Sequence, residues 1–93
     1  MSVTVRIPTI LRTMTGGARD VRVAATAPTV AGVLDALDAG HPGIRARLVD
    51  EQGNLRRFVN LYLDDEDVRG FEGLATAVRP GAELVIIPAV AGG

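Results

Sequence analysis

The sequence has no cysteine, no lysine and a single histidine, and each shortage removes a class of chemistry. Without cysteine the chain can form no disulfide, bind no metal through thiolates and offer no cysteine nucleophile. All ten basic residues are arginine, so no lysine side chain is present to accept an isopeptide bond. His41 stands beside Pro42 without a second histidine or a suitably spaced acid. A surface or helix-capping role is therefore favoured for it over catalysis.

Charge and hydropathy exclude two kinds of partner. The 93 residues carry a net charge of −1, which gives no electrostatic basis for binding nucleic acid. The apolar runs are far too short to cross a bilayer, and the first residues show no signal-peptide pattern. Apolar residues still make up 47% of the chain, which is enough for a folded domain with a modest core. We expect one small cytoplasmic domain with no nucleic-acid or membrane partner.

Alternating apolar and polar residues predict strands at both ends of the sequence. Residues 3–7 and 21–23 alternate on either side of a Gly16-Gly17 turn, which predicts an antiparallel hairpin. Residues 55–63 form the strongest later strand, and residues 83–87 form the last. Four acidic residues at 64–67 lack the ligand spacing of a calcium loop, so they predict a solvated turn. After this turn, a short strand that runs back along the previous one is predicted to begin at residue 68.

One main helix is predicted between the two pairs of strands. Thr29 is a typical N-cap residue, and the apolar positions 30, 33, 34 and 37 lie on one helical face. Gly40 and Pro42 mark its end, and residues 44–49 predict at most a short helical turn.

This order of elements predicts an α+β domain of the β-grasp, or ubiquitin-like, fold. Such a domain has a mixed sheet of four to five strands with one main helix across one face. The last strand is expected to pair in parallel beside the first. We therefore predict a β-grasp domain over residues 1–88 and a flexible Gly-Gly tail over residues 89–93, because the tail's small, uncharged residues have little to anchor them.

The Gly92-Gly93 pair at the end of the sequence is its most informative feature. Glycine has no Cβ, so a chain that ends in it can pass through a narrow channel. Five extended residues span about 17 Å at most. The tail could thus present the carboxylate of Gly93 to an enzyme active site, or it could be a frayed end. The tail alone leaves both interpretations open.

The chain resembles the ThiS/MoaD sulfur carriers over segments that run nearly from end to end. A β-grasp pattern with a free Gly-Gly end is similar to the family as a whole. The segments that resemble the branch serving cysteine biosynthesis are Ile7-Pro8-Thr9-Ile10-Leu11-Arg12, Arg57-Phe58-Val59-Asn60, residues 65–69, residues 73–77 and residues 88–93.

The resemblance implies that Gly93 is the working residue, with Gly92 as its flexible neighbour. An E1-like adenylyltransferase/sulfurtransferase would use ATP and magnesium to form an acyl-adenylate there, and a sulfur source would convert it to a thiocarboxylate. The acceptor would be a cysteine synthase of the CysM type, which uses pyridoxal phosphate, and a JAMM-type zinc peptidase would release the product. The chain itself would bind no cofactor or metal and would be a monomeric co-substrate, not an enzyme.

Three functions remain open from the sequence. The first is a sulfur carrier, for cysteine or alternatively for molybdopterin, thiamin thiazole or a thiosugar. The second is a ubiquitin-like modifier joined to other proteins, and the third is an interaction module whose Gly-Gly end is incidental. The terminal atom separates them, because only a carrier acquires sulfur at Gly93 and only a modifier forms amides there.

The sheet face opposite the helix is predicted as the docking surface. In the last strand Leu84 and Ile86 are assigned to the core, which leaves the residues that alternate with them on the outer face. Strand alternation places the two aromatic residues of the predicted strand 55–63 on the same side. The predicted partner-binding residues are Phe58, Tyr62, Val85, Ile87 and Val90.

Overall fold

The computed structural model describes residues 1–88, which form a mixed sheet with helices packed on one face. Within these residues the strands are β1 Ser2–Arg6, β2 Asp20–Ala24, β3 Val59–Leu63, β4 Glu66–Asp67 and β5 Glu83–Pro88, and the α-helices are α1 Val30–Gly40 and α2 Ile44–Leu48. Short 3₁₀ helices span Thr9–Thr15, Val68–Gly70 and Gly73–Ala75. The predicted tail, residues 89–93, lies outside the described residues, so its flexibility stays a prediction. No helix in the described range is long and apolar enough to span a membrane.

The sheet has the strand order β2-β1-β5-β3-β4. β5 lies between β1, to which it is parallel, and β3, to which it is antiparallel. The predicted parallel pairing of the first and last strands is thus confirmed, and with it the β-grasp arrangement. β1 and β2 are antiparallel as predicted, and the chain turns between them through Gly16 and Gly17, whose φ angles are 65° and 89°. Glycine adopts such positive φ without a steric cost. The 3₁₀ helix in this connection was not predicted.

The core lies between the helices and the inner face of the sheet. In β5 the side chains of Leu84 and Ile86 are 0% and 2% exposed, which confirms the predicted phase of this strand. On β3 the alternate residues Val59 and Leu61 face the same way. The helical and loop residues that complete the core include Val30, Val33, Leu34, Leu37, Ile44, Leu48 and Val68.

Side-chain caps define where both helices begin. The hydroxyl of Thr29 accepts a hydrogen bond from the backbone N–H of Gly32 at 3.1 Å, which confirms it as the N-cap of α1. At α2, Asp38 Oδ1 accepts from the backbone N–H groups of Gly43 and Arg45, each at 3.0 Å. Asp38 belongs to the preceding helix, so local N-cap spacing did not reveal this second cap.

The predicted strand over residues 55–63 is wrong in its first half. Only Val59–Leu63 is a strand, and Leu55 forms an isolated bridge to Val49. The backbone N–H of Arg56 donates to the carbonyl of Leu48 at 2.9 Å, and that of Val59 donates to the carbonyl of Arg56 at 3.0 Å. These bonds turn residues 56–58 away from the sheet, so the alternation of apolar residues there does not continue the strand.

The short return strand lies two residues earlier than predicted. β4 consists of Glu66–Asp67, and the residues expected to start it, Val68 and Arg69, begin a 3₁₀ helix. Asp67 Oδ1 accepts from the backbone N–H of Arg69 at 2.9 Å and so caps that helix. The cap ends the strand before Val68, which turns inward and is fully buried.

We expect Gly32→Ala to destabilise the domain although alanine favours helix over glycine. A Cβ at Gly32 would lie 2.8 Å from the Cβ of Ala27 and closer still to the Ala27 carbonyl oxygen. The backbone must shift to make room for this Cβ, and that shift should lower the free energy of unfolding by about 1–3 kcal/mol. Gly40, at the end of the same helix, has open space around an added Cβ. Gly40→Ala should therefore leave stability unchanged or raise it by up to about 1 kcal/mol. Urea unfolding measures both, and equal stabilities would contradict the tight contact at Gly32.

Candidate functional site

The described chain ends at one end of the sheet, where Pro88 lies opposite Val59. Proline has no backbone N–H to donate, so it suits the last position of a strand. Because β1 and β5 are parallel, the segment that follows β1, with the 3₁₀ helix Thr9–Thr15, starts at this same end. The predicted tail is therefore attached where the ends of β1 and β5 and the start of β3 meet.

The outer face of the sheet next to this end carries three of the predicted partner-binding residues. Val85 on β5 lies opposite Tyr62 on β3, and Ile87 lies opposite Asn60. Ile87 is 43% exposed, whereas Val85 and Tyr62 are half-buried. The structure thus brings Tyr62, Val85 and Ile87 together on one face, and we call these three residues the outer-face patch.

Phe58 does not share this face by strand alternation, because it lies in the turn before β3. Its side chain is 54% exposed and lines a hollow together with Ile10 and Pro88. The expectation that Phe58 extends the outer face fails for the same reason as the longer strand. The remaining predicted site residues, Val90, Gly92 and Gly93, lie outside the described residues.

Ion pairs border the outer-face patch on the side of β1 and β2. Arg6 lies opposite Val85, and its Nε donates to Asp20 Oδ1 at 3.2 Å. An Arg6 Nη atom also lies 3.9 Å from a carboxylate oxygen of Glu83. The hydrogen bond from Arg6, together with the hydrogen bond from Arg19, lowers the pKa of the Asp20 carboxyl. Because this pKa is lower in the folded chain, the contribution of Asp20 to folding stability is present near neutral pH. It is lost as the pH falls through the lowered pKa. These exposed pairs contribute little stability, but they limit the apolar area to the β5–β3 side.

Arg69 holds the start of β3 in place. Its Nη1 donates to the carbonyl of Val59 at 2.6 Å and to Asn60 Oδ1 at 2.8 Å, and its Nη2 donates to the carbonyl of Arg56 at 2.7 Å. One guanidinium group thus satisfies acceptors on both sides of the turn that carries Phe58. Sequence reasoning missed this role, because Arg69 is ten residues from Val59 and no local pattern marks it.

The acidic run at residues 64–67 forms the predicted turn only over Asp64 and Asp65, because Glu66 and Asp67 pair with β3 as strand β4. Asp64 Oδ1 accepts from the backbone N–H of Glu83 at 3.0 Å, and Asp67 caps the 3₁₀ helix that follows. Asp64 and Asp65 have φ angles of 47° and 71°, in the left-handed region that aspartate tolerates better than most residues. Two of the carboxylates therefore have structural partners in the backbone.

Comparison with known proteins gives one consistent result. The ThiS family matches residues 5–93. The sulfur carrier protein CysO of Mycobacterium tuberculosis is 52% identical over 95 aligned residues, which cover 100% of both chains. A chain in the crystal structure of the Amycolatopsis orientalis BexX/CysO complex is 53% identical, with a TM-score of 0.88 over 98% of this chain and 99% of that one. The crystal structure of SAMP1 from Haloferax volcanii is 31% identical, with a TM-score of 0.83 over 100% of both chains.

We expect Arg69→Ala to loosen the turn before β3. Loss of the charge-assisted hydrogen bonds should lower the free energy of unfolding by about 1–2 kcal/mol. For a domain of this size each kcal/mol corresponds to roughly 4–8 °C in Tm. Arg22→Ala, at an exposed position on edge strand β2, is the matched control and should change stability by less than about 0.5 kcal/mol. Calorimetry compares the two, and an Arg69→Ala variant as stable as the control would show that these hydrogen bonds contribute nothing.

Proposed function

The chain belongs to the ThiS family and is a sulfur carrier that serves enzymes without being one itself, and on that premise we propose that the carboxylate of Gly93 is its reactive group. One structural observation carries the proposal. β5 is the central strand of the sheet and ends at Pro88 beside the start of β3, so the tail begins at the end of a rigid element. Five residues can then extend about 17 Å at most beyond the domain.

The chemistry follows from the poor reactivity of a carboxylate. An oxygen of the Gly93 carboxylate attacks the α-phosphorus of ATP, pyrophosphate leaves, and an acyl-adenylate forms. A sulfide equivalent then attacks the acyl carbon, AMP leaves with the electron pair of the C–O bond, and loss of a proton gives a thiocarboxylate. The sulfur is a better nucleophile than the oxygen that it replaces. Small residues at the tail suit this role because they let the backbone enter a narrow active site.

The partners in this scheme are enzymes. The first is an E1-like adenylyltransferase that holds ATP and magnesium. For the acceptor we propose a cysteine synthase that uses pyridoxal phosphate, followed by a JAMM-type zinc peptidase that releases the product. The similarity to CysO along the whole chain supports the cysteine pathway over molybdopterin, thiamin thiazole or a thiosugar. Because activation consumes ATP, we place the reaction in the cytoplasm.

A second candidate function is protein modification. It is favoured by the similarity to SAMP1, which is a small archaeal modifier protein. In that case the activated Gly93 would form an amide with an amine of another protein. The chain has no lysine, so it could not extend itself into lysine-linked polymers. The two functions differ in the product at Gly93, which is a thioacid for a carrier and an amide for a modifier.

We expect the C-terminal carboxylate to gain one sulfur in place of one oxygen when the chain is incubated with its activating enzyme, ATP and sulfide. Intact-protein mass spectrometry measures the change. A chain extended by one alanine after Gly93 is the control and should stay unchanged, because it presents a different terminal residue. The proposal would fail if the native chain also stayed unchanged with an enzyme shown to activate another carrier.

We expect Ile87→Asp to weaken productive binding to the activating enzyme by about tenfold, measured as a rise in the KM for the carrier. The physical reason is that a charge replaces an apolar side chain in the outer-face patch next to the tail. Ser2→Asp adds the same charge at the far end of the same face and should change the KM little. The Tm of both variants should stay near that of the native chain. A large fall in the Tm of Ile87→Asp would instead make Ile87 part of the packed structure.

A further inference from the structure

A second apolar surface lies at the tail end of the sheet, apart from the outer-face patch. Ile10 and Phe58 form its exposed walls, and Pro88 and the buried side chain of Leu48 also line it. Ile10 is 71% exposed and Phe58 is 54% exposed, and because both line one hollow they form a contiguous apolar surface. We call this surface the tail-end hollow.

The walls of the tail-end hollow are held rigidly by buried neighbours. Ile10 lies on the 3₁₀ helix Thr9–Thr15, which Leu11 and Thr15 anchor with exposures of 8% and 5%. Arg12 Nε donates to the carbonyl of Ile7 at 3.1 Å and closes the start of that segment. On the other side, the hydrogen bonds of Arg69 hold the turn that carries Phe58. A rigid surface loses little conformational entropy on binding, which favours affinity.

The charged residues that line the tail-end hollow have one sign. Its charged lining residues are Arg47 and Arg56, and neither forms an ion pair with a carboxylate of residues 1–88. Arg56 Nε donates to the carbonyl of Ala46 at 3.1 Å, which fixes that side chain against α2. Arg47 is exposed. A partner that fills the hollow therefore meets apolar walls next to two positive charges.

The opposite end of the sheet has the reverse charge. There Phe71, which is 58% exposed, lines a hollow together with Asp64, Glu66 and Glu72, and Arg79 is the cation in its lining. Of these two hollows with an exposed aromatic residue, the one at the tail is basic and the one at the far end is mainly acidic. An acidic partner surface would be attracted to the tail end and repelled from the far end.

We propose that the tail-end hollow docks the enzyme that activates Gly93, by accepting an apolar side chain of that enzyme flanked by carboxylates. This inference rests on the proposed function. Any enzyme that acts on Gly93 must come within about 17 Å of Pro88, which lines the hollow. The hollow measures about 250 Å³, below the roughly 300–1,000 Å³ of typical small-molecule pockets, so it suits a protein side chain better than a separate ligand.

The test uses the full chain with its purified activating enzyme, ATP and sulfide, and measures the KM for the carrier in thiocarboxylate formation. Ile10→Asp removes an apolar wall and Arg47→Glu reverses a charge of the hollow. Phe71→Asp and Arg79→Glu are the controls, because they introduce the same charges at the far end; Arg79 differs from Arg47 in pairing with Asp64 at 3.4 Å. All four residues are exposed, and Tm values establish that the variants fold.

We expect Ile10→Asp and Arg47→Glu each to raise the KM by about tenfold or more, and the two controls to change it less than about twofold. The KM of the native chain should rise with salt, and Arg47→Glu should reduce that dependence.

If the native chain acquires sulfur but the hollow variants match their controls, the hollow does not dock this enzyme, and the proposed function stands. If the native chain acquires no sulfur, the proposed function itself is wrong. Self-association detected by ultracentrifugation and abolished by Ile10→Asp would assign the hollow to a second copy and overturn the inference.

Discussion

The structure depends on the pairing of β5 with strands on both sides. β5 is hydrogen-bonded in parallel to β1 and antiparallel to β3, and it places Leu84 and Ile86 at the centre of the core. The same alternation puts Val85 and Ile87 on the outer face. A shift of one residue would exchange the two sets, burying Val85 and Ile87 and exposing Leu84 and Ile86. The packing of the core and the place where β5 ends at Pro88 therefore follow from one register.

Patterns confined to one element were enough to predict most of the fold. The N-cap at Thr29, the apolar stripe of α1 and the phase of β5 are local signals, and the structure confirms each of them. The error over residues 55–63 has a non-local cause. The turn there depends on the carbonyl of Leu48 and on the guanidinium group of Arg69, which approach only after the chain has folded. Sequence alternation predicts which residues a strand would bury, but not which distant hydrogen-bond partners interrupt the strand.

The site was predictable to the same extent. Tyr62, Val85 and Ile87 lie where alternation placed them, because all three belong to regular strands. Phe58 lies in a turn, and its neighbour Ile10 comes from a 3₁₀ helix nearly fifty positions away in the sequence. What brings them together is the parallel direction of β1 and β5, which places the start of the 3₁₀ segment at the tail end of the sheet. Residues 7–12 resemble the same segment of sulfur carriers, but only the fold shows that Ile10 lines a hollow with Phe58.

The composition of the tail explains why the folded domain must carry the recognition surfaces. Five small residues offer little apolar area and no side-chain hydrogen-bonding group to a partner. Ordering them costs roughly 1–2 kcal/mol per residue, so the tail by itself would bind weakly. The free energy that brings Gly93 into an active site has to come from contacts of the domain near Pro88. Two apolar surfaces adjoin that end of the sheet, the outer-face patch and the tail-end hollow, and the hollow is the one with arginines in its lining. In the proposed scheme the carrier leaves one enzyme for the next, and two small surfaces would let each partner use a different share of them and still release the domain.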